Sequence, residues 1–549
     1  MQRWPALLPA LLAAGLAGCG GDDEVTANAC LQTSPSGVVY NPGTPGENGA
    51  PEIATGFASK AAVPSRSFMV VANNPLATKA GCDVLKKGGS AVDAAVAVQM
   101  VLNLVEPQSS GIGGGAFMLH YDAKAKTVMS YDGRETAPAA ATENYLRWIS
   151  ATQQTTPLPN ARASGRSIGT PGVLHMLDTA HKDAGKLSWK ELFDPAIQIA
   201  TDGFKISPRM AASIAGSATS LTRDPDAKAY FLNADGTGKA AGTLLKSPAL
   251  AATFKAIADG GINAFYTGPI AQDIIDKIGD TTGGITPGLT TLADLAAYRA
   301  KKRDAVCANY RGYQVCGMGP PSSGGIAVAQ TLGILSNFDL APHKPTAMDI
   351  NGGKPTVMGV HLVSEAQRLA YADRDKYVAD TDFVPLPGGS PAKMLDATYL
   401  SVAAGKRPRS SMSPTLVFTQ SGGQRGDFLM STGSPGGSTI IQYVGKTLVG
   451  VLDWGMDAQQ ATSMVDFGAA NSPSTNVGSE HPNVDITNSG ANDTLITGLK
   501  ALGHTVNTAQ QSSGLSTIVV RTAPAGYRYY EGGADPRREG VVLGDVFKP

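Results

Sequence analysis

The chain has 549 residues, and its 45 lysines and arginines are matched by 45 aspartates and glutamates. That balance gives no support for a nucleic-acid partner. No Cys/His spacing suggests structural zinc, and the length allows one large composite core or two domains.

Met1-Gln2-Arg3 opens an apolar run from Trp4 through Ala17, too short for a stable bilayer anchor. The run ends Leu16-Ala17-Gly18-Cys19, small residues before a cysteine, as in the bacterial lipobox. Residues 1–19 are expected to be a lipoprotein signal that frees Cys19 for lipid attachment and tethers the chain to a membrane. Two other readings stand beside it: ordinary secretion, with Cys19 a chance neighbour of the cut, and an uncleaved anchor. The expected location is exported, periplasmic or cell-envelope. Residues 20–57 are rich in Gly, Pro, Ser, Thr and Asn and read as a flexible stalk. Four cysteines remain: Cys30, Cys82, Cys307 and Cys316. In an exported protein Cys307 and Cys316 could pair across a short strand-turn-strand, which spacing alone does not prove.

Asn74-Pro75 predicts a helix start, running through Lys87 to a stop at Gly88-Gly89. Ser90 caps the next helix with Asp93 as its capping-box partner. Ala91 to Leu104 is almost wholly apolar, hence a buried helix. After Glu106-Pro107 comes a glycine run, Gly111-Ile112-Gly113-Gly114-Gly115, then a strand from Ala116 to Tyr121 with a hairpin partner at Lys126–Tyr131. A dinucleotide loop needs a strand before it and a helix after it. Here the order is reversed, so the run is backbone kept bare for a polar group to approach, or a tight turn between buried layers.

Residues 186–300 read as mainly helical, with polar loops near Thr219–Lys228 and Asp280–Gly288. Arg311–Met318 is a short strand, and Pro320 to Gly325 a turn feeding an apolar helix, Ile326–Leu335. Val360–Val378 is a long helix. Thr415–Thr419 and Asp427–Ser431 are strand-like. The turn Gly433 to Gly437 leads to a helix from Ser438 to about Val451. A helix (Asn492–Leu502) and strands around Val506, at Ser516–Arg521 and at Tyr527–Tyr530 close the chain. Helices on both sides of strands indicate a layered α/β build.

Three places offer chemistry. Arg134 follows a strand end and presents a planar fork suited to a carboxylate; the alternative is a salt bridge with Glu135 or Asp132. Ser410 and Ser411 offer hydroxyls before a strand, or turn and cap chemistry. Gly436 and Gly437 lie between a strand and a helix, where backbone N–H groups hold an anion or a developing oxyanion, or form a simple turn.

Together the stretches GGSAVDAAVA (88–97), SSGIGGGAFMLHYD (109–122), YDGRETAP (131–138), PPSSGG (320–325), EAQRLAYADRDKYVAD (365–380), GKRPRSSMSPT (405–415), GSPGG (433–437) and GGADPRREG (532–540) resemble the gamma-glutamyltransferase family, which includes the glutathione hydrolases. The resemblance covers nearly everything from about Gly56 to Gly544. It implies a four-layer αββα sandwich of the N-terminal-nucleophile hydrolase type. It also implies a precursor that cuts itself before a threonine, whose hydroxyl then attacks a gamma-glutamyl amide with its own amine as base. By motif match Arg134 clamps the glutamyl α-carboxylate, Ser410 and Ser411 hold the same end, and the amides of Gly436 and Gly437 form the oxyanion hole. The implied partners are gamma-glutamyl compounds such as glutathione, with water or an amino-acid or peptide amine as acceptor. No metal or organic cofactor is implied.

One departure is large. In the family several tens of residues separate the helix ending near Tyr399 from the GKRP piece, and they carry the processing site and the Thr-Thr-His or Ser-Thr-His nucleophile element. Here Leu400 runs straight into Ser401, and neither element occurs anywhere in the chain. The expectation is a large-subunit-like region, 58–400, joined to a truncated small-subunit-like region, 401–549, in an incomplete sandwich. Three accounts compete: an internal deletion, a misassembled gene whose intact relative is active, and a pseudoenzyme that binds glutamyl compounds. A rival class is a lipid-anchored binding or structural protein with no glutamyl pocket.

Overall fold

The computed structural model describes residues 29–30, 56–386, 409–545 and 547. The expected lipidation site Cys19, most of the stalk and the Leu400–Ser401 junction lie outside the described residues.

The two expected N-terminal caps form. Asn74 accepts the Leu76 N–H at 3.0 Å and opens helix Pro75–Lys86. Ser90 and Asp93 close a reciprocal capping box on helix Ala91–Val105. Asp93 does more than cap: its Oδ2 also accepts the N–H groups of Lys186 and Leu187 at 2.9 and 3.0 Å. Val96, Ala97, Met100 and Val101 are fully buried, so this helix lies inside a layer rather than on it.

The central element is a seven-stranded, wholly antiparallel sheet. Its order is Val63–Ser65, Arg528–Ala534, Ser516–Thr522, Gln424–Gly433, Thr415–Ser421, Tyr313–Gly317 and Val306–Tyr310. A second sheet pairs Ala116–Asp122 with Thr127–Gly133 and that strand with Lys301–Asp304. The two sheets meet through Tyr121, whose ring lies 4.7 Å from Phe418 and 6.4 Å from Phe428. Helices Gly324–Leu335 and Ile440–Leu452 cover the larger sheet, and helix Val173–Ala184 covers the smaller. The result is helix, sheet, sheet, helix, with separate apolar cores outside each sheet. The strands at 117–121 and at 415–419 and 427–431 thus occupy the two facing sheets, as expected. Residues from both sides of the Leu400–Ser401 junction share the larger sheet, because Thr415–Thr419 pairs with Tyr313–Gly317.

Some expectations need correction. The stretch Thr219–Lys228 is mostly helix: Pro208–Leu221 enters it and Pro225–Phe231 begins within it. Its polar residues are caps rather than loop, since Asp224 Oδ1 accepts the Ala227 N–H at 2.8 Å and Pro225 fills the first turn. The C-terminal strand runs past Tyr530 to Ala534 because it pairs with Ser516–Thr522 along its whole length. Cys307 and Cys316 form a disulfide across strands Val306–Tyr310 and Tyr313–Gly317. A second disulfide, Cys30–Cys82, corrects the stalk reading at Cys30: this residue is buried and tied to helix Pro75–Lys86, and its N–H donates to Gly544 O at 3.0 Å.

Candidate functional site

The glycine run lies where a buried helix hands over to an inner strand. Gly114 O accepts the N–H groups of Gly172 and Val173 at 2.9 and 3.1 Å, which fastens the run to the head of helix Val173–Ala184. A Cβ on Gly115 would sit 2.6 Å from both Gly133 O and Glu135 Oε2, so only glycine fits against the neighbouring strand end.

This run forms one wall of a cavity of about 590 Å³. Arg134 and Glu135 line it from the end of strand Thr127–Gly133, and Glu106 from the end of helix Ala91–Val105. Met412 and Pro435 enter from the C-terminal part of the chain. Three regions distant in sequence therefore converge on one cleft, mostly apolar with a few charged groups, the usual setting for a small-molecule site.

Arg134 is half-buried and held from several sides. Its Nη1 lies 3.1 Å from Glu135 Oε2, its N–H donates to Asp132 Oδ1 at 2.9 Å, and its carbonyl accepts from Tyr298 Oη at 2.8 Å. Arg134 lines the cavity and pairs with Glu135, the salt bridge that the sequence left open. Asp132 Oδ2 also takes Arg303 Nε at 2.8 Å. The Arg303–Asp132 pair is buried on the Asp132 side, and it stiffens the strand end from which Arg134 projects.

Ser410 and Ser411 lie beside the cavity-lining Met412 rather than in the lining itself. Ser410 is built into a turn: its N–H donates to Pro321 O at 3.1 Å, its carbonyl accepts from Ser323 Oγ at 2.8 Å, and its Oγ accepts the Met412 N–H at 3.0 Å. Ser411 Oγ accepts from Arg374 Nη2 at 2.6 Å, and Arg374 Nε also donates to Ser323 Oγ at 2.9 Å. Arg374 thus positions both serine-bearing turns. Sequence reasoning assigned it no role, although it lies inside the stretch 365–380; an arginine amid apolar helix positions was the available signal.

Gly436 and Gly437 adjoin Pro435, another lining residue. Both take positive φ, 135° and 62°, in the region that glycine favours. A Cβ on Gly436 would lie 2.6 Å from Tyr443 Cε2. The 3-10 turn Gly437–Thr439 runs directly into the buried helix Ile440–Leu452. Their amides therefore stand at a helix head, where anions are favoured. Arg134 and the two C-terminal loops meet at one cavity, while the serines and glycines stand one or two residues along the chain from its lining.

A family profile described as "Gamma-glutamyltranspeptidase" matches residues 77–402 and 396–545, two pieces that meet at 396–402. The glutathione hydrolase proenzyme of Bacillus subtilis (strain 168) is 38% identical over 319 residues, which is 58% of this chain and 51% of that protein. On that measure the chain spans about half the length of the relative. The glutathione hydrolase proenzyme of Escherichia coli (strain K12) is 30% identical over 496 residues, covering 74% of this chain and 81% of that one. Among solved structures, the gamma-glutamyltranspeptidase of Helicobacter pylori has 32% identity and a TM-score of 0.52 over 61% of this chain and 89% of that one. A cephalosporin acylase from Bacillus halodurans has a TM-score of 0.71 over 93% and 99%; at 21% identity that likeness is of fold alone.

Proposed function

This chain belongs to the gamma-glutamyltranspeptidase family and has the N-terminal-nucleophile hydrolase fold, and on that premise we propose that its cavity holds the α-amino-acid end of a gamma-glutamyl compound such as glutathione. The observation that carries the reading is Arg134 in the cavity wall, facing a cleft to which Met412 and Pro435 bring the two C-terminal loops. The guanidinium fork takes the α-carboxylate by two parallel bonds. The Glu135 carboxylate, already in the wall, offers the opposite charge to the α-ammonium. Ser410 and Ser411 each accept a hydrogen bond in this structure, which leaves their protons to donate to a ligand oxygen. Gly436 and Gly437 supply amides for the scissile carbonyl oxygen. The family chemistry is glutamyl transfer, through an acyl-enzyme, to water or to an amino-acid or peptide amine. Without a Thr-Thr-His or Ser-Thr-His element, this chain binds the glutamyl end and does not turn it over.

Calorimetry with glutathione and with glutamate tests the pocket. Arg134→Lys should weaken binding about tenfold, because a point charge replaces a two-donor fork. Equal affinity in both proteins removes Arg134 from the site. No binding by the native chain favours the rival, a structural or binding protein without a glutamyl pocket.

The same reading places the protein outside the cytoplasm, lipid-anchored through Cys19. Its support is the apolar run before Cys19 and two disulfides, which belong to oxidising compartments. Among the described residues no helix is long and apolar enough to cross a membrane. Mass spectrometry of the mature N-terminus should find an acylated Cys19; an intact Met1 or an unmodified Cys19 refutes the anchor.

A further inference from the structure

Helix Val357–Tyr377 carries His361 and Glu365 one turn apart, so both side chains leave the same face. His504 reaches the same point from the link between helix Thr494–Ala501 and strand Thr505–Asn507. His361 Nδ1 and His504 Nε2 lie 2.7 Å apart, and Glu365 Oε1 lies 3.9 Å from His504 Nε2. One ligating atom from each of the three residues falls within 4.8 Å of the others.

Two imidazole nitrogens and a carboxylate oxygen form the donor set of a borderline divalent cation, zinc foremost. His504 is buried, whereas His361 and Glu365 are half-buried, which leaves a side open for a water as fourth ligand. The far nitrogen of His504 is also engaged: its Nδ1 lies 2.6 Å from Thr475 Oγ1, which in turn accepts from Arg368 Nη2 at 3.1 Å. An oxygen partner on the non-ligating nitrogen is what orients metal-bound histidines. Arg368 also bonds Glu365 Oε1 at 3.2 Å, and this nearby positive charge weakens the attraction for a cation.

We propose that His361, Glu365 and His504 bind one zinc-class divalent cation, which clamps helix Val357–Tyr377 to the C-terminal helix-strand unit. In the absence of the cation one ring donates a proton to the other across the 2.7 Å contact. The cation takes the place of that shared proton. Two nitrogens bound at ~2.0–2.1 Å in a tetrahedral site stand about 3.3 Å apart, so the rings part by a few tenths of an ångström. The braced helix is the one that carries Arg374, about 20 Å further along its axis at 1.5 Å per residue. The third ligand comes from far along the chain, which is why no local Cys/His spacing announces the cluster. This site is distinct from the glutamyl cavity and does not depend on its occupancy.

The test uses untagged, full-length protein with Cys19 alkylated, dialysed against zinc chloride and, separately, cobalt chloride. One equivalent should bind saturably, and cobalt should give the intense visible bands of a four-coordinate site. His361→Ala and Glu365→Gln should each weaken zinc at least about tenfold, and His343→Ala should change nothing. Lack of saturable binding below ~100 µM, or equal binding by His361→Ala and Glu365→Gln, overturns the proposal. If either variant fails to fold, carbethoxylation of the native protein decides: zinc should protect His361 and His504, and unchanged labelling of both refutes the site.

Discussion

On a denaturing gel the chain should run as one band, apart from removal of its N-terminal segment, and should release no free aniline from a gamma-glutamyl anilide. In a serine protease the loss of the nucleophile alone costs on the order of 10⁶ in kcat, and an N-terminal nucleophile also serves as its own base. Two of the threonines that remain are committed elsewhere. Thr415 opens strand Thr415–Ser421, paired to Gly317 on one side and Thr432 on the other, and its hydroxyl donates to Ser413 O at 3.1 Å. Its nitrogen is an amide, not an amine, so it offers no base. Thr291 caps helix Leu292–Ala297, bonded to Asp294. Thr398 lies outside the described residues. The split of the family match at 396–402 falls on the expected junction. Resequencing across Leu400–Ser401 separates the accounts: a restored Thr-Thr-His or Ser-Thr-His segment means an ordinary processing enzyme. Two clean fragments with turnover from the present sequence would falsify the reading, and Thr398 and Thr415 would be the first residues to mutate.

Arg537→Met should be the most damaging single substitution for stability. Arg537 is fully buried, with Nε 2.5 Å from Glu480 Oε1 and 3.1 Å from Asp466 Oδ2, and Nη1 3.4 Å from Asp535 Oδ1. Lys446, also buried, lies 3.1 Å from Asp466 Oδ1. Removing the guanidinium leaves three buried carboxylates facing one ammonium, at a cost of about 3–5 kcal/mol. That is a large share of the ~5–15 kcal/mol that separates folded from unfolded chains. Urea unfolding of the variant measures it, and the double variant Arg537→Met with Glu480→Gln should recover part of the loss. A cost below ~1 kcal/mol would show that the carboxylates do not need Arg537.

What the sequence made legible was local. Asn74, Ser90 and Asp93 signal their helix starts within four residues, and the structure uses each as read. Cys307 and Cys316 flank a tight turn, so pairing was geometrically available. Arg134 is nominated by the resemblance of YDGRETAP (131–138) to the family, since its position at a strand end leaves a salt bridge equally open. What escaped was long-range. Cys30 and Cys82 meet only after the chain has folded. Arg374 claims Ser411 from a helix whose sequence looks merely amphipathic. The stretch 532–540 was visible as a match without a role; its Arg537 proves to be the centre of a buried charge cluster because Asp466 and Glu480 arrive from other segments.

The first strands of the fold find their partners among the last. Val63–Ser65 pairs with Glu531 and its neighbours, and Met69–Ala72 with Val541–Gly544. Lys60 Nζ donates to the carbonyls of Asp535, Arg538 and Gly540 at 2.7 Å each. A ribosome delivers these partners in the wrong order: the early strands emerge with their edges bare and wait for almost the whole message to be read. At ~5–20 residues per second that wait is tens of seconds. Such distant closures are slow in their own right. The finished shape therefore cannot assemble while synthesis proceeds, and a chaperone or an unfolded export route has to carry the chain until its two extremities coexist.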